Sequence, residues 1–128
     1  MLFTVSQRFF FDAAHTLKRE IEAEGSRRIH GHTYTLRLHL NAPLNTVMGW
    51  TVDFGDVKEL FDPIFKRIDH HPLHEIPGMT NPDAASLARW IRDQAAGGLP
   101  QLDRIDLLET RGCGAILSWG ELGPALPI

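Results

Sequence analysis

The chain has 128 residues, 43% hydrophobic and 23% charged, which is enough apolar material for one domain with a core of its own. A formal net charge of −3, with no block of lysines or arginines, excludes nucleic acid as the main partner, because phosphate neutralisation needs a concentrated basic surface. No apolar run approaches the ~20 residues of a membrane span, and the start "MLFTVSQRFFFDAAH" lacks a basic stretch followed by an apolar one, so it reads as a strand of the mature protein.

Phe3, Val5, Phe9 and Phe11 alternate with mostly polar residues and predict a first strand over 3–13. From Thr33 onward Tyr34, Leu36, Leu38 and Leu40 alternate with Thr33, Thr35, Arg37 and His39, a half-buried second strand with His39 on its solvated side. "NAPLNTVMGW" breaks this pattern as a loop or wide hairpin. Val57, Leu60, Phe61, Ile64 and Ile68 then follow helical spacing, with Asp53 or Asp56 at the start and Pro63 predicting a kink or early break. Asn81 reads as the N-cap of a second helix, with Pro82 in its first turn and Ala84, Leu87, Ala88 and Ile91 on one face.

"RIDLLET" and "AILSW", joined by the turn "RGCG", predict two closing strands. The order strand, strand, helix, helix, strand, strand implies an α+β fold, a four-stranded antiparallel sheet with two helices on one face. Its two open edges predict a homo-oligomer that pairs them. Cys113, the single cysteine, forbids an intrachain disulfide and fits a reducing, cytoplasmic setting; in the turn it reads as a packing residue.

Two histidines, His30 and His32, stand one residue apart at the mouth of the second strand, and His15 ends the first. Residues i and i+2 on a strand point to the same side, so His30 and His32 can converge on one ion, and His15 completes a trio if the strands are neighbours. Catalytic zinc takes three protein ligands and keeps a fourth position open. In a chain with seven histidines, however, an H-x-H pair also arises by chance, and the spacing alone leaves both readings open.

Six blocks in register, "FDAAH", "IHGHTY", "GWTVDFGDVK", "IDHHPLHEIPG", "NPDAASLARWI" and "LLET", resemble the 6-pyruvoyl-tetrahydropterin synthase family, including its 6-carboxy-tetrahydropterin synthase branch of queuosine biosynthesis. The resemblance runs nearly end to end. It implies that His15, His30 and His32 bind Zn2+, that Asp69 and His70 form a proton-transfer pair, and that Glu109 anchors a pterin ring. It also implies the tunnelling fold, with sheets joined into a trimeric barrel and two trimers stacked as a homohexamer with active sites between subunits. The implied activity is that of a zinc-dependent lyase, first of all a 6-carboxy-tetrahydropterin synthase converting 7,8-dihydroneopterin triphosphate. Read without the family, Asp69 could equally cap a turn after the first helix with His70 exposed beside it, and Glu109 could be a solvated strand residue.

The chain departs from the family where a cysteine commonly stands, four residues before the first histidine of "HGH". Ser26 occupies that position, and a hydroxyl is far less acidic than a thiol. Glu22 or Glu24 could replace the missing base, as in relatives that cleave the side chain to 6-hydroxymethyl-dihydropterin for folate. Alternatively His70 acts alone, or the chain binds zinc and pterin without turnover. Asp83 and Ala85 stand where the family often has threonine and glutamate, which suggests an altered substrate edge. Lys18, Arg19, Arg27 and Arg28 are candidates to receive a triphosphate.

Overall fold

Two long strands dominate the molecule, and everything that positions the candidate site hangs from their pairing. The computed structural model describes residues 2–17, 28–43, 53–79 and 81–120. Ser26, Glu22, Glu24, Lys18, Arg19, Arg27 and most of the "NAPLNTVMGW" loop lie outside the described residues.

β1 (Leu2–His15) pairs antiparallel with β2 (His30–Pro43), β2 with β3 (Leu102–Leu108), and β3 with β4 (Gly114–Ser118), giving the sheet order β1-β2-β3-β4. Between the inner strands lie α1 (Phe54–Ile68) and α2 (Ala84–Ala95), with a short 3-10 turn at Leu73–Glu75. The predicted four-stranded antiparallel sheet with two helices is therefore what the chain forms.

Register decides which side chains share a face. Phe11 stands opposite Tyr34, Phe9 opposite Leu36, and Leu38 opposite Ile105. These residues, with Leu40 and Leu107, turn toward the helices. α1 answers with Val57, Phe61, Ile64 and Ile68, and α2 with Leu87, Ala88, Trp90, Ile91 and Ala95. Phe11 stacks on Tyr34 at 4.8 Å, and Phe9 meets Phe61 at the same centroid distance, so aromatic contacts carry the core toward the His15 end.

Several local expectations are corrected. α1 runs through Pro63 to Ile68 without an early break; Pro63 lies on the exposed side, where water can serve the carbonyl that proline leaves without a donor. Leu60 is 50% exposed, at the margin of the apolar stripe rather than in it. The N-cap of α2 is Asp83, whose side chain accepts from Ser86 N, and not Asn81. His39 is 1% exposed, not solvated: its Nε2 lies 2.9 Å from Asp106 Oδ2 on the face away from the helices. Asp53 caps α1 through Gly55 N at 2.7 Å, as its place before the helix implies.

Candidate active site

The alternation that builds the core also builds the site. His32 lies opposite Ala13 and His30 opposite His15, so all three imidazoles continue the helix-facing rows of Phe11 and Tyr34. His15 Nε2 lies 2.8 Å from His30 Nε2 and 3.2 Å from His32 Nε2. The ligand atoms of all three lie within 4.8 Å of one another.

The outer nitrogens of His15 and His30 fix their tautomers. His15 Nδ1 is 2.9 Å from the Pro82 carbonyl and His30 Nδ1 is 2.9 Å from the Arg28 carbonyl. A carbonyl only accepts, so each Nδ1 carries the proton and each Nε2 presents a lone pair inward. Two lone pairs 2.8 Å apart repel unless something positive lies between them. A proton is a poor candidate at His15, because burial, followed by the neighbouring His30 and His32, lowers its pKa despite the Pro82 bond.

A divalent cation fits better. Zinc–nitrogen bonds of about 2.0–2.1 Å at tetrahedral angles place neighbouring nitrogens about 3.3 Å apart, close to the 3.2 Å of the His15–His32 pair. The donor set and the outer hydrogen bonds of His15 and His30 to backbone carbonyls are those of a cluster able to hold a metal ion.

Tyr34, unassigned from sequence, lies beneath the trio. It is fully buried, its ring meets His32 edge-on at 5.6 Å, and its hydroxyl sits 3.5 Å from His15 Nδ1. Burial, then the charge of Glu109, pushes its phenol well above the ordinary range, so it stays neutral.

Glu109 is not within a strand. It follows β3 and opens a 3-10 turn at Thr110–Gly112, with its own N–H donating to the Cys113 carbonyl. That turn aims its carboxylate back at the sheet, and Oε2 lies 3.6 Å from His32 Nε2. Gly112 takes φ +77 there, and Gly114 lies so close to the Leu107 carbonyl that a Cβ would collide with it. Cys113 is exposed, so the packing role expected of it does not hold.

Asp69 and His70 sit along the free edge of β1. The segment bridges β1 in parallel at Ala14 and Pro72, and His70 N–H donates to the Asp12 carbonyl at 2.6 Å. Asp69 is the C-cap of α1, and its Oδ1 both accepts from Asp12 N at 3.1 Å and lies 3.0 Å from His70 Nδ1. The capping and pairing roles thus coexist. Asp69 raises the pKa of His70, first by the hydrogen bond and then by its charge. His70 holds φ +57, a left-handed conformation costly for a residue with a Cβ. Its ring is 75% exposed, leaving Nε2 free to exchange a proton.

One cleft of about 540 Å³ joins His32 of the trio to His70. Asp12, Gly31, His32, Thr33, His70 and Thr110 line it, together with His71. Thr33 Oγ1 donates to Asp12 Oδ1 at 2.6 Å, and Thr110 Oγ1 accepts from Thr33 N at 3.0 Å, tying the β3–β4 turn to β2. The cleft size suits a small heterocycle.

The sequence model of the 6-pyruvoyl tetrahydropterin synthase family matches residues 4–119. The chain belongs to that family. Within it, dihydroneopterin monophosphate aldolase of Pyrococcus furiosus is 34% identical over 115 residues, covering 88% of this chain and 94% of the relative. The solved 6-pyruvoyl tetrahydropterin synthase of Caenorhabditis elegans superposes with a TM-score of 0.80 at 17% identity, over 94% of this chain and 97% of that one. A Plasmodium vivax 6-pyruvoyltetrahydropterin synthase in which a catalytic glutamate is replaced by cysteine superposes with a TM-score of 0.64 at 15% identity, over 91% and 96% of the chains. The distant structures share the tunnelling fold; the histidine trio is this chain's own geometry.

Proposed function

We propose that the chain is a zinc-dependent lyase that cleaves the side chain of a phosphorylated 7,8-dihydroneopterin by an aldol-type reaction, releasing 6-hydroxymethyl-dihydropterin. The observation that carries this reading is the convergence of three imidazole Nε2 atoms, one of them 3.6 Å from Glu109, with His32 of the trio and His70 lining one cleft. The likeness to dihydroneopterin monophosphate aldolase and the absence of a cysteine at Ser26 favour carbon–carbon cleavage.

In such a cleavage the proton leaves the 2′-hydroxyl, the C1′–C2′ bond breaks, and its electron pair enters the C6–N5 imine of the ring. A proton then returns to C1′, and a two-carbon aldehyde departs. A zinc ion on His15, His30 and His32 supplies a Lewis acid at the side-chain end of the substrate. Glu109 accepts from the amino and ring N–H edge of the pterin and sets how far the side chain reaches toward the trio. His70, oriented through Nδ1 by Asp69, exchanges a proton through Nε2. Glu22 or Glu24 abstracts the hydroxyl proton that a thiol would otherwise take, a choice supported by the catalytic glutamate of the P. vivax protein. Ser26 then serves as a spacer or hydrogen-bond partner rather than as the base.

The protein works as a cytoplasmic homohexamer of two trimeric barrels, which pairs the β1 and β4 edges left open in one chain. A second reading, 6-carboxy-tetrahydropterin synthase, is favoured by the intact Asp69–His70 pair and by the synthase family model.

Incubating the zinc-loaded protein with dihydroneopterin monophosphate and triphosphate separates these readings. 6-Hydroxymethyl-dihydropterin with a two-carbon aldehyde supports the proposal. 6-Carboxy-tetrahydropterin with acetaldehyde selects the second reading. Tight pterin binding without product sinks both.

A further inference from the structure

The sheet face away from the helices carries an arrangement that the lyase chemistry does not use. The ladder sets Arg8 of β1 directly opposite Arg37 of β2, and Arg37 directly opposite Asp106 of β3. Like charges facing each other across a ladder destabilise it, and a neighbouring carboxylate is the usual remedy. Asp106 is already committed. Its Oδ1 accepts from Arg104 Nε at 2.7 Å, and its Oδ2 lies 2.9 Å from His39 Nε2 and 3.2 Å from Arg104 Nη2. Arg104 and His39 are themselves buried, so that carboxylate is held between them.

Among the described residues no hydrogen bond or ion pair engages Arg37, and Arg8 has only the face of Phe10, at 5.9 Å. Other arginines are engaged: Arg67 bonds Gln94 and lies over Trp90, and Arg92 lies over Trp119. Arg8 and Arg37 share a cleft of about 250 Å³ that Thr35, Asp106 and Leu108 also line. It presents two planar donor forks and a hydroxyl, with Leu108 and the Asp106 carboxylate, already bonded to Arg104 and His39, beside them.

We propose that this cleft binds a phosphate-type oxyanion, either free phosphate or a phosphomonoester. Guanidinium forks match the paired oxygens of such an ion, and its charge removes the Arg8–Arg37 repulsion. Thr35 Oγ1 donates a further hydrogen bond. The site is distinct from the histidine trio, because Thr35 and Arg37 point to the opposite side of β2 from His32 and Tyr34.

The test is a calorimetric titration of full-length, metal-stripped protein with inorganic phosphate at constant ionic strength. A small ion reaches the face in any assembly, and stripping removes anion binding by a metal. One saturable phosphate per chain is expected, weakened at least tenfold in R37Q and lost in R8Q/R37Q. R8K/R37K keeps the charge but loses the forks and is expected to bind several-fold more weakly; it also serves if the neutral variants unfold. Uptake that never saturates, needs the metal, or is unchanged in either double variant overturns the site. Unchanged affinity together with loss of the oligomer in R8Q/R37Q would mean that the pair serves contacts between copies, and the anion site is wrong.

Discussion

His15 is aimed from a distance, and that aim can be perturbed without touching the histidine. Its Nδ1–H donates to the carbonyl of Pro82, the residue before the α2 cap, and Asp83 fixes that residue in turn. Asp83 does so twice: its side chain accepts from Ser86 N at 2.8 Å, and its carbonyl accepts from Leu87 N at 2.9 Å. Asp83→Ala removes the side-chain cap, worth about 1 kcal/mol, and lets the first turn fray. Metal binding then has to restore the turn, so at most that free energy is transmitted to the metal, a weakening of about fivefold. Complete loss of the outer hydrogen bond would cost about 10- to 100-fold and is not expected, because the Pro82 carbonyl itself remains. The assay is competition for Zn2+ with a chromophoric chelator, alongside thermal unfolding of the metal-free protein. Asp83→Ser, another good cap, is expected to restore the affinity. If Asp83→Ala lowers the melting temperature but leaves zinc affinity within twofold, the coupling between helix start and metal ligand does not exist.

Other expectations concern the groups around the trio. In Asp69→Asn the imidazole of His70 loses its carboxylate partner, so its NMR titration moves to lower pH, and the limb of the pH–rate profile that it governs moves the same way; an unmoved titration removes Asp69 from the pair. Glu109→Gln weakens binding of a reduced pterin by about 1.5–3 kcal/mol, roughly ten- to over a hundredfold, with a smaller loss of zinc affinity; equal losses would make Glu109 a metal-site residue rather than a ring anchor. Asp106→Asn leaves buried Arg104 without its carboxylate and lowers unfolding free energy in urea at pH 7 by about 3 kcal/mol. Despite burial, which acts to raise it, the Asp106 pKa is lowered by its bonds to Arg104 and His39. Its stabilisation is therefore present above the ordinary carboxylate range and lost as pH falls through the depressed value, so the two proteins converge in acid.

Most of the architecture was readable because the helix-facing side of β2 is apolar from Tyr34 to Leu40. The alternation of Tyr34, Leu36, Leu38 and Leu40 has a single consistent side, and the structure buries all four. The same logic failed at His39, since alternation assigns it to solvent while the Arg104–Asp106 network on that face encloses it. No pattern within β2 announces a partner 67 residues away. Asn81 and Asp83 are both good caps, and only packing selects between them. With Asp83 as cap, Pro82 falls just outside the helix and its carbonyl is left for His15. Leu60 follows the helical period yet lies at the edge of a stripe already filled by Val57, Phe61 and Ile64.

The trio itself was legible in a stronger sense than its spacing suggests, because the core sets it. His15 has the parity of Phe9 and Phe11, and His30 and His32 have that of Tyr34 and Leu36. The register that buries those aromatics together therefore turns all three imidazoles to one side. A slip of one residue in the β1–β2 pairing would send His30 and His32 to the opposite face from His15 and would expose Tyr34 and Leu36 at the same time. Hydrophobic burial and metal-site geometry thus select the same register, and neither could drift without the other. What no local pattern encodes is the outer support: the Pro82 carbonyl arrives from a helix start 67 residues beyond His15, and Glu109 from a turn after β3. Those contacts exist only once the sheet and both helices are assembled, so the ligands are set by strand parity and their aim by the tertiary fold.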